Sequence, residues 1–341
     1  MECKRAKLYG PFDLRFEDLS YNLDNLLPDE ICAVTEYTAV SIGTEIAAFS
    51  GAPPLREGPV YPRLVGYCNA ARVVSIGGEI KDFVIGDRIL THQSHQSCFI
   101  CPEKDVLAHI PFSVVSSTAS LTYLAHIGLN ALQRAGFKSG ETVVVQGLGP
   151  IGLATVALSR ALGAGNIIVI GNDPIRLERA SALGAATCIN SSSLDVLGQV
   201  SEATNGKLAD VVVTTVNAWS AWHTTMRIVR TFGRVAVLGF PGRGECLPTF
   251  NPLASETFYV KQPAILSVGL AAGPEMWGDG DMPTYRRKNM KLLLDLVANN
   301  TLPLDELVTH NVRWSELESI YKLAKAGDKE MIAAVLNWKE S

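Results

Sequence analysis

The sequence has no uninterrupted apolar run approaching the roughly 20 residues needed to cross a bilayer, which argues against a transmembrane helix. It has no dominant charge either: 30 basic residues stand against 34 acidic ones, a net charge of −4 over 341 residues. The one short run of like charge, Arg286-Arg287-Lys288, reads as a solvated face at a helix start, so no electrostatic footprint for nucleic acid is expected. The basic stretch Met1-Glu2-Cys3-Lys4-Arg5-Ala6-Lys7 leads into polar and acidic sequence rather than the apolar core of a signal peptide. These absences predict a cytoplasmic protein with no membrane and no nucleic-acid partner. There is no internal repeat and no low-complexity segment.

Cysteine is present but not patterned. Seven residues (Cys3, Cys32, Cys68, Cys98, Cys101, Cys188, Cys246) are scattered along the chain, an odd number unlike a disulfide framework, and they are expected to be reduced. Cys98 and Cys101 form a C-x-x-C that His92 and His95 would have to complete to hold zinc. The alternation over Ser97 to Pro111 reads instead as a strand closed by proline, and no metal is expected there.

The length exceeds a single ordinary core and predicts two domains with a cleft. Residues 1–115 read as short strands broken by turns, including Gly51-Ala52-Pro53-Pro54 and Ile76-Gly77-Gly78-Glu79. A helical run from Ser116 to Ala135 then opens a strict alternation of strands and helices. Strands are expected at Thr142 to Gln146, Ile167 to Ile170, Thr187 to Asn190, Asp210 to Thr214, Arg234 to Leu238 and Ala264 to Val268. Helices fall between them, the last at Trp219 to Thr231. Such alternation is a doubly wound parallel sheet over residues 116–272. After Gly273 comes a Gly/Pro-interrupted loop, then a helix from Tyr285, a strand near Val308 to Val312, a helix from Ser315 and a strand at Ala333 to Asn337. Residues 273–341 either finish this sheet or return to the first domain.

The strand Thr142 to Gln146 runs into Gly147-Leu148-Gly149-Pro150-Ile151-Gly152, a G-x-G-x-x-G that opens a helix. In that setting Gly147 permits the turn, Gly149 lets backbone approach a pyrophosphate, and Gly152 lets helix pack on strand. The helix N-terminus favours the anion. The carboxylate that would bind the ribose of NAD is displaced: its position falls on Gly171, with Asn172, Asp173 and Arg176 following. Gly171 would leave room for a 2′-phosphate that Asn172 and Arg176 bind, whereas Asp173 would repel it or reach the ribose. On this balance NADP(H) is favoured over NAD(H). Thr214, Thr215 and Asn217 end the fourth strand and Leu238, Gly239 and Phe240 the fifth, at the carboxyl edge where ligands bind in such sheets.

With these residues in view the chain resembles the medium-chain dehydrogenase/reductase superfamily. The matching stretches are Gly43-Thr44-Glu45, Pro62 to Gly66, Val84 to Arg88, the Gly147 fingerprint, Gly233 to Gly239 and Leu307 to His310. The resemblance implies a GroES-like β-rich catalytic domain plus a Rossmann domain, a C-terminal segment that returns to the catalytic domain, and a homodimer through the last Rossmann strand. It also implies a catalytic zinc in most alcohol dehydrogenases of the group. Here Ile42 precedes Gly43-Thr44-Glu45, Gly66-Tyr67-Cys68 stands where Gly-His-Glu would, and Thr122 falls at the third ligand position, which the cofactor would contact instead. The four-cysteine lobe is missing too. Gly43-Thr44-Glu45, Phe49-Ser50-Gly51, Tyr61-Pro62 and Gly66-Tyr67 look like the zinc-lacking branch that includes hydroxyethyl bacteriochlorophyllide dehydrogenase, a likeness that identifies a branch and not a substrate.

Without zinc, hydrogen-bond donors must stabilise charge on the substrate oxygen. Thr44 matches the proton-passing hydroxyl of zinc-containing relatives; its alternative role is to cap a helix with Glu45 in the first turn. Tyr67 would aim its phenol at the old metal position or merely fill its volume. His126 would shuttle a proton or serve as a satisfied polar residue. His92 and His95 are candidates to line the substrate cleft, and His310 reads as structural. The expected activity is hydride transfer between a nicotinamide and a small alcohol or ketone. Reduction of an activated carbon-carbon double bond, and a silent protein that only binds the dinucleotide, are the alternatives.

Overall fold

The structure is a computed structural model that describes residues 1–53, 60–269 and 282–339. Pro54 of one expected turn, and the loop expected after Gly273, lie outside these residues. Along the chain come β1 (Glu2–Gly10), β2 (Asp13–Ser20), β3 (Glu30–Ala39), α1 (Ile42–Phe49), β4 (Arg63–Leu64), β5 (Asn69–Ile76), β6 (Arg88–Thr91), β7 (Cys98–Pro102) and β8 (Val106–His109). β3 is the hub of this part: Val34 faces Arg72 of β5 on one side and Cys98 of β7 on the other, both antiparallel. Ile31, Ala33, Val73, Ile89, Phe99 and Cys101 form a buried cluster around it. The single strand expected over Ser97 to Pro111 is two, because the turn at Glu103–Asp105 redirects the chain from β3 to β6. α1 is also new relative to the sequence reading, its eight residues being too few to display a helical period.

The long helix expected from Ser116 is broken at Leu121 into α2 (Ser116–Ser120) and α3 (Thr122–Arg134). Then follow β9 (Thr142–Gln146), α4 (Pro150–Ala161), β10 (Asn166–Gly171), α5 (Pro174–Ala182), β11 (Thr187–Asn190), α6 (Val196–Ala203), β12 (Ala209–Thr214), α7 (Trp219–Ile228), β13 (Val229–Val237) and β14 (Ala264–Ser267). The strands form one sheet in the order β11-β10-β9-β12-β13-β14, with every pairing parallel. That order reverses at β9, the switch point where such sheets bind ligands. β9 and β10 are apolar and buried almost throughout, as strands covered on both faces must be. α7 stops at Ile228 rather than Thr231 because β-branched Val229 already pairs with Ala209 of β12.

The chain continues through α8 (Met282–Ala298), β15 (Val308–Arg313), α9 (Leu317–Ala326) and β16 (Ala333–Asn337). β16 lies between β15 and β3, antiparallel to β3, so this segment completes the first domain's sheet. Leu317, Ile320 and Tyr321 of α9 share a buried cluster with Phe49 of α1 and Leu8 of β1. The chain divides into two compact units, Met1–Leu124 with Gly273–Ser341, and Ala125–Ala272. The division lies within α3, beyond residue 115, since α2 packs against β3 and β5. A β-rich unit and a doubly wound parallel sheet are the α/β class that the sequence predicts.

Candidate functional site

In the second unit, β9 ends at Gly147 with φ +94°, and a Cβ there would sit 2.3 Å from Thr215 Oγ1. A Cβ on Gly152 would lie 1.9 Å from the Gly147 carbonyl oxygen, so the first turn of α4 packs on β9 only because that side chain is missing. Gly149 is the N-cap of α4, and nothing lies within 4 Å of where its Cβ would be. Pro150 takes the first helical position, leaving the amides of Ile151 and Gly152 without helical acceptors beside the positive end of the helix dipole. This is a cradle open to an anion.

The ends of β12 and β13 meet beside it. Thr215 Oγ1 donates to the carbonyl oxygens of Gln146 and Gly147, each at 3.3 Å. Thr214 offers its carbonyl oxygen to the amides of Leu238 and Gly239, while its own hydroxyl is buried without a hydrogen-bond partner. Asn217 accepts from the Phe240 amide at 2.7 Å, tying the two strand ends together.

At the end of β10 one expectation is corrected. The space beside Gly171 is not left for a phosphate: a Cβ there would stand 2.7 Å from Leu148 Cδ1, so the buried Leu148 side chain takes it. Asp173 caps α5 through Oδ1, which accepts from the amides of Ile175 at 2.9 Å and Arg176 at 3.3 Å. Asn172 is exposed beside it and Arg176 half-buried.

In the first unit the residues near Tyr67 assemble around the start of α1. Tyr67 donates its phenol to Ser41 Oγ, and its ring meets Tyr123 edge to face at 5.4 Å. Burial pushes the Tyr67 phenol well above its usual range and outweighs the hydroxyls of Ser41 and Thr44 beside it. The phenol therefore keeps its proton at neutral pH. Thr44 is exposed and lies inside α1 rather than at its cap, which is Ser41.

Behind Ser41 lies a polar core. Glu45 Oε1 accepts from the Ser41 amide at 2.7 Å, while Oε2 accepts from the Tyr321 phenol at 2.5 Å and contacts His95 Nε2 at 2.8 Å. Burial works to raise the Glu45 carboxyl, but His95, Tyr321 and the Ser41 amide hold it below the usual carboxylate range. His95 is 0% exposed, and its other nitrogen lies 2.7 Å from Thr38 Oγ1. It is a structural member of this core and not a residue of a substrate cleft.

His92 is exposed at the surface of the same unit. Partial desolvation lowers its pKa; Asp105 opposes this and the Arg286 charge adds to it. His126 is 3% exposed and belongs to the second unit, whereas Thr44 and Tyr67 belong to the first. Thr122, at the start of α3, is fully buried with its hydroxyl unpartnered.

The sequence model described as zinc-binding dehydrogenase matches residues 150–277. The sorbitol dehydrogenase of Bacillus subtilis is 29% identical over 214 residues, 54% of this chain and 61% of that protein. The NADP-dependent isopropanol dehydrogenase of Thermoanaerobacter brockii is 25% identical over 309 residues, 80% of this chain and 84% of that protein. An alcohol dehydrogenase from Thermotoga maritima shares the fold with a TM-score of 0.81 at 19% identity, covering 99% of both chains. These likenesses support the medium-chain dehydrogenase/reductase superfamily for the chain, and with it an oxidoreductase activity.

The zinc of many medium-chain dehydrogenases does not fit the residues present here. The match that carries the word zinc begins at residue 150, beyond the positions where ligands would stand. At those positions Ile42 has no donor atom, and Tyr67 holds a protonated phenol on Ser41. Cys68 is fully buried, and burial and then the Glu45 charge push its thiol well above the ordinary range, so it stays protonated. Among the described residues no group of three His, Cys, Asp or Glu side chains is placed to hold a metal. Cys98 and Cys101 cannot act as a pair, since an odd spacing puts them on opposite faces of β7. The dinucleotide, in contrast, fits a cradle whose glycines leave space where a Cβ would intrude.

Sequence reasoning missed Ser41, Tyr123 and Arg286. Ser41 lies just before a helix too short to be seen. Arg286 was set aside as a solvated charge, yet its Nε is buried without a hydrogen-bond partner and its charge acts on both Tyr123 and His92.

Proposed function

We propose that the chain transfers hydride between a nicotinamide and a small alcohol or ketone, and that it belongs to the zinc-lacking branch of its superfamily. The observation that carries the reading is the anion cradle at Gly147, Gly149 and Gly152; in the other unit a protonated phenol, Tyr67, stands at the position where the resemblance implies a metal ligand. With the pyrophosphate of a dinucleotide held at that cradle, its nicotinamide would supply or accept the hydride. The amides of Ile151 and Gly152 would hold the pyrophosphate, and Thr214, Thr215, Asn217, Leu238, Gly239 and Phe240 would flank the rest. Tyr67 would give its hydrogen bond to the substrate oxygen in place of Ser41 and release the proton as the oxygen gains charge, with Thr44 as second donor.

NADP(H) is the preferred cofactor. Asp173 is engaged as a helix cap through Oδ1, and Asn172 and Arg176 are the side chains after β10 that would bind a phosphate. His126 would act on the proton path in the second unit. We also assign a homodimer through β14, an edge strand near the exposed Tyr259 and Val260, and a cytoplasmic location; no helix among the described residues is long and apolar enough to cross a membrane.

The test is a panel of ketones and enones with NADPH and NADH, on protein whose metal content has been measured. Ketone-dependent NADPH consumption by protein free of zinc is expected. Turnover of enones alone assigns double-bond reduction, binding of NADPH with no turnover assigns a silent protein, and stoichiometric zinc overturns the donor-only mechanism.

A further inference from the structure

The residues leading into β7 lie against β1 with a definite register. Arg5 bridges Gln96 antiparallel, the Ser97 amide donates to the Lys4 carbonyl at 2.8 Å, and the Ala6 amide donates to the His95 carbonyl at 2.9 Å. In each of these antiparallel pairs one partner advances as the other retreats, so Cys3 stands directly opposite Cys98. The hydrogen-bonded positions are Lys4 with Ser97 and Ala6 with His95. Cys3 and Cys98 therefore occupy a non-hydrogen-bonded site, where the Cα atoms approach to about 4.5 Å and side chains are closest. That separation falls within the roughly 4.4–6.8 Å that a disulfide spans.

The side chains agree with the register. Cys3 Sγ–H donates to the Cys98 carbonyl oxygen at 2.9 Å, and both residues are 2% exposed. When Cys3 ionises, the Cys98 thiol hydrogen-bonds to it, holding Cys3 below the usual thiol range and raising Cys98, so Cys3 is the nucleophile of the two. Cys32 is the third thiol nearby, on β3, where it faces Ile100 of β7 and contacts Met1 Sδ at 3.9 Å.

We propose that Cys3 and Cys98 are an oxidative modification site, a cross-strand dithiol that a hydroperoxide converts to a disulfide. The Cys3 thiolate attacks the peroxide oxygen, the O–O bond breaks, and Cys3 becomes a sulfenic acid while the released oxygen leaves as water or alcohol. The Cys98 sulfur then attacks Cys3, the S–O bond breaks, and water departs. In sum two thiols lose two electrons and two protons, and one hydroperoxide is reduced. The bond would staple the sheet of β1, β2 and β4 to β7 and β3.

The experiment treats the full chain, with exposed Cys188 and Cys246 changed to Ser, with hydrogen peroxide. Expected are a mass loss of two hydrogens, a Cys3–Cys98 cross-linked peptide after digestion, a rise of several degrees in thermal midpoint, and full reversal by dithiothreitol. C98S should abolish the mass loss, while C101S should leave it intact. A cross-link mapped to Cys32, mass gain by oxygen alone, or no change at peroxide levels that consume the exposed thiols of the unaltered chain would overturn the proposal. Because peptide mapping uses no substitution at either thiol, the result does not depend on how C98S folds.

Discussion

The Tyr321 phenol, on α9, donates to the buried carboxylate of Glu45 on α1 at 2.5 Å. Through this bond the C-terminal segment holds the helix that presents Ser41 and Thr44. Glu45→Gln should leave His95 and Tyr321 without their anionic partner and destabilise the protein by about 3–5 kcal/mol, read by denaturant unfolding.

The same carboxyl has a pH signature. Its folded pKa lies below the unfolded value, so its contribution to stability is fully present above about pH 4.3 and is lost as pH falls through the lower, folded value. Unfolding titrations between pH 6 and pH 3 should show a steep acid limb that is flattened in Glu45→Gln. An equally steep limb in the variant would remove Glu45 as its source.

Tyr67→Phe removes the phenol and preserves the ring contact with Tyr123. The turnover number should fall by about 100- to 10,000-fold while nucleotide affinity, measured by fluorescence, stays unchanged. Ser41→Ala should act less strongly, because Ser41 touches Tyr67 and not the substrate.

Gly152→Ala and Gly149→Ala separate packing from ligand approach. The first drives a methyl to within 1.9 Å of the Gly147 carbonyl oxygen and should both destabilise the second unit and abolish nucleotide binding. The second has open space, so thermal stability should hold while the Kd for NADPH rises at least tenfold.

Arg286→Gln should raise the pKa of His92, since a neighbouring cation disfavours the protonated ring and burial alone would remain to depress it, with Asp105 opposing. A proton-detected titration of His92 gives the shift. A pKa that falls or stays put would show that Arg286 does not act there.

Much of the second unit was legible because its signals are local. Strands buried on both faces are continuous apolar runs, and Asp173-Pro174 or Gly149-Pro150 mark helix starts regardless of what surrounds them. One role at the end of β10 was not legible: that Leu148 fills the space at Gly171 depends on how a turn folds back. In the first unit the polar core was invisible for a different reason. Thr38, Glu45, His95 and Tyr321 are far apart in sequence, and nothing in periodicity links a histidine after β6 to a glutamate in α1.

The position of β16 between β15 and β3 sets an order of assembly during synthesis. The second unit is one continuous stretch and has all its strands once β14 has left the ribosome. β3, made long before, pairs β7 over Glu30–Val34 but must wait with the edge at Tyr37–Ala39 unpaired until β16 emerges. The second unit can thus form first on the nascent chain, and the β-rich unit closes around its late strand, leaving that waiting edge as the place where a chaperone or a stray strand would bind.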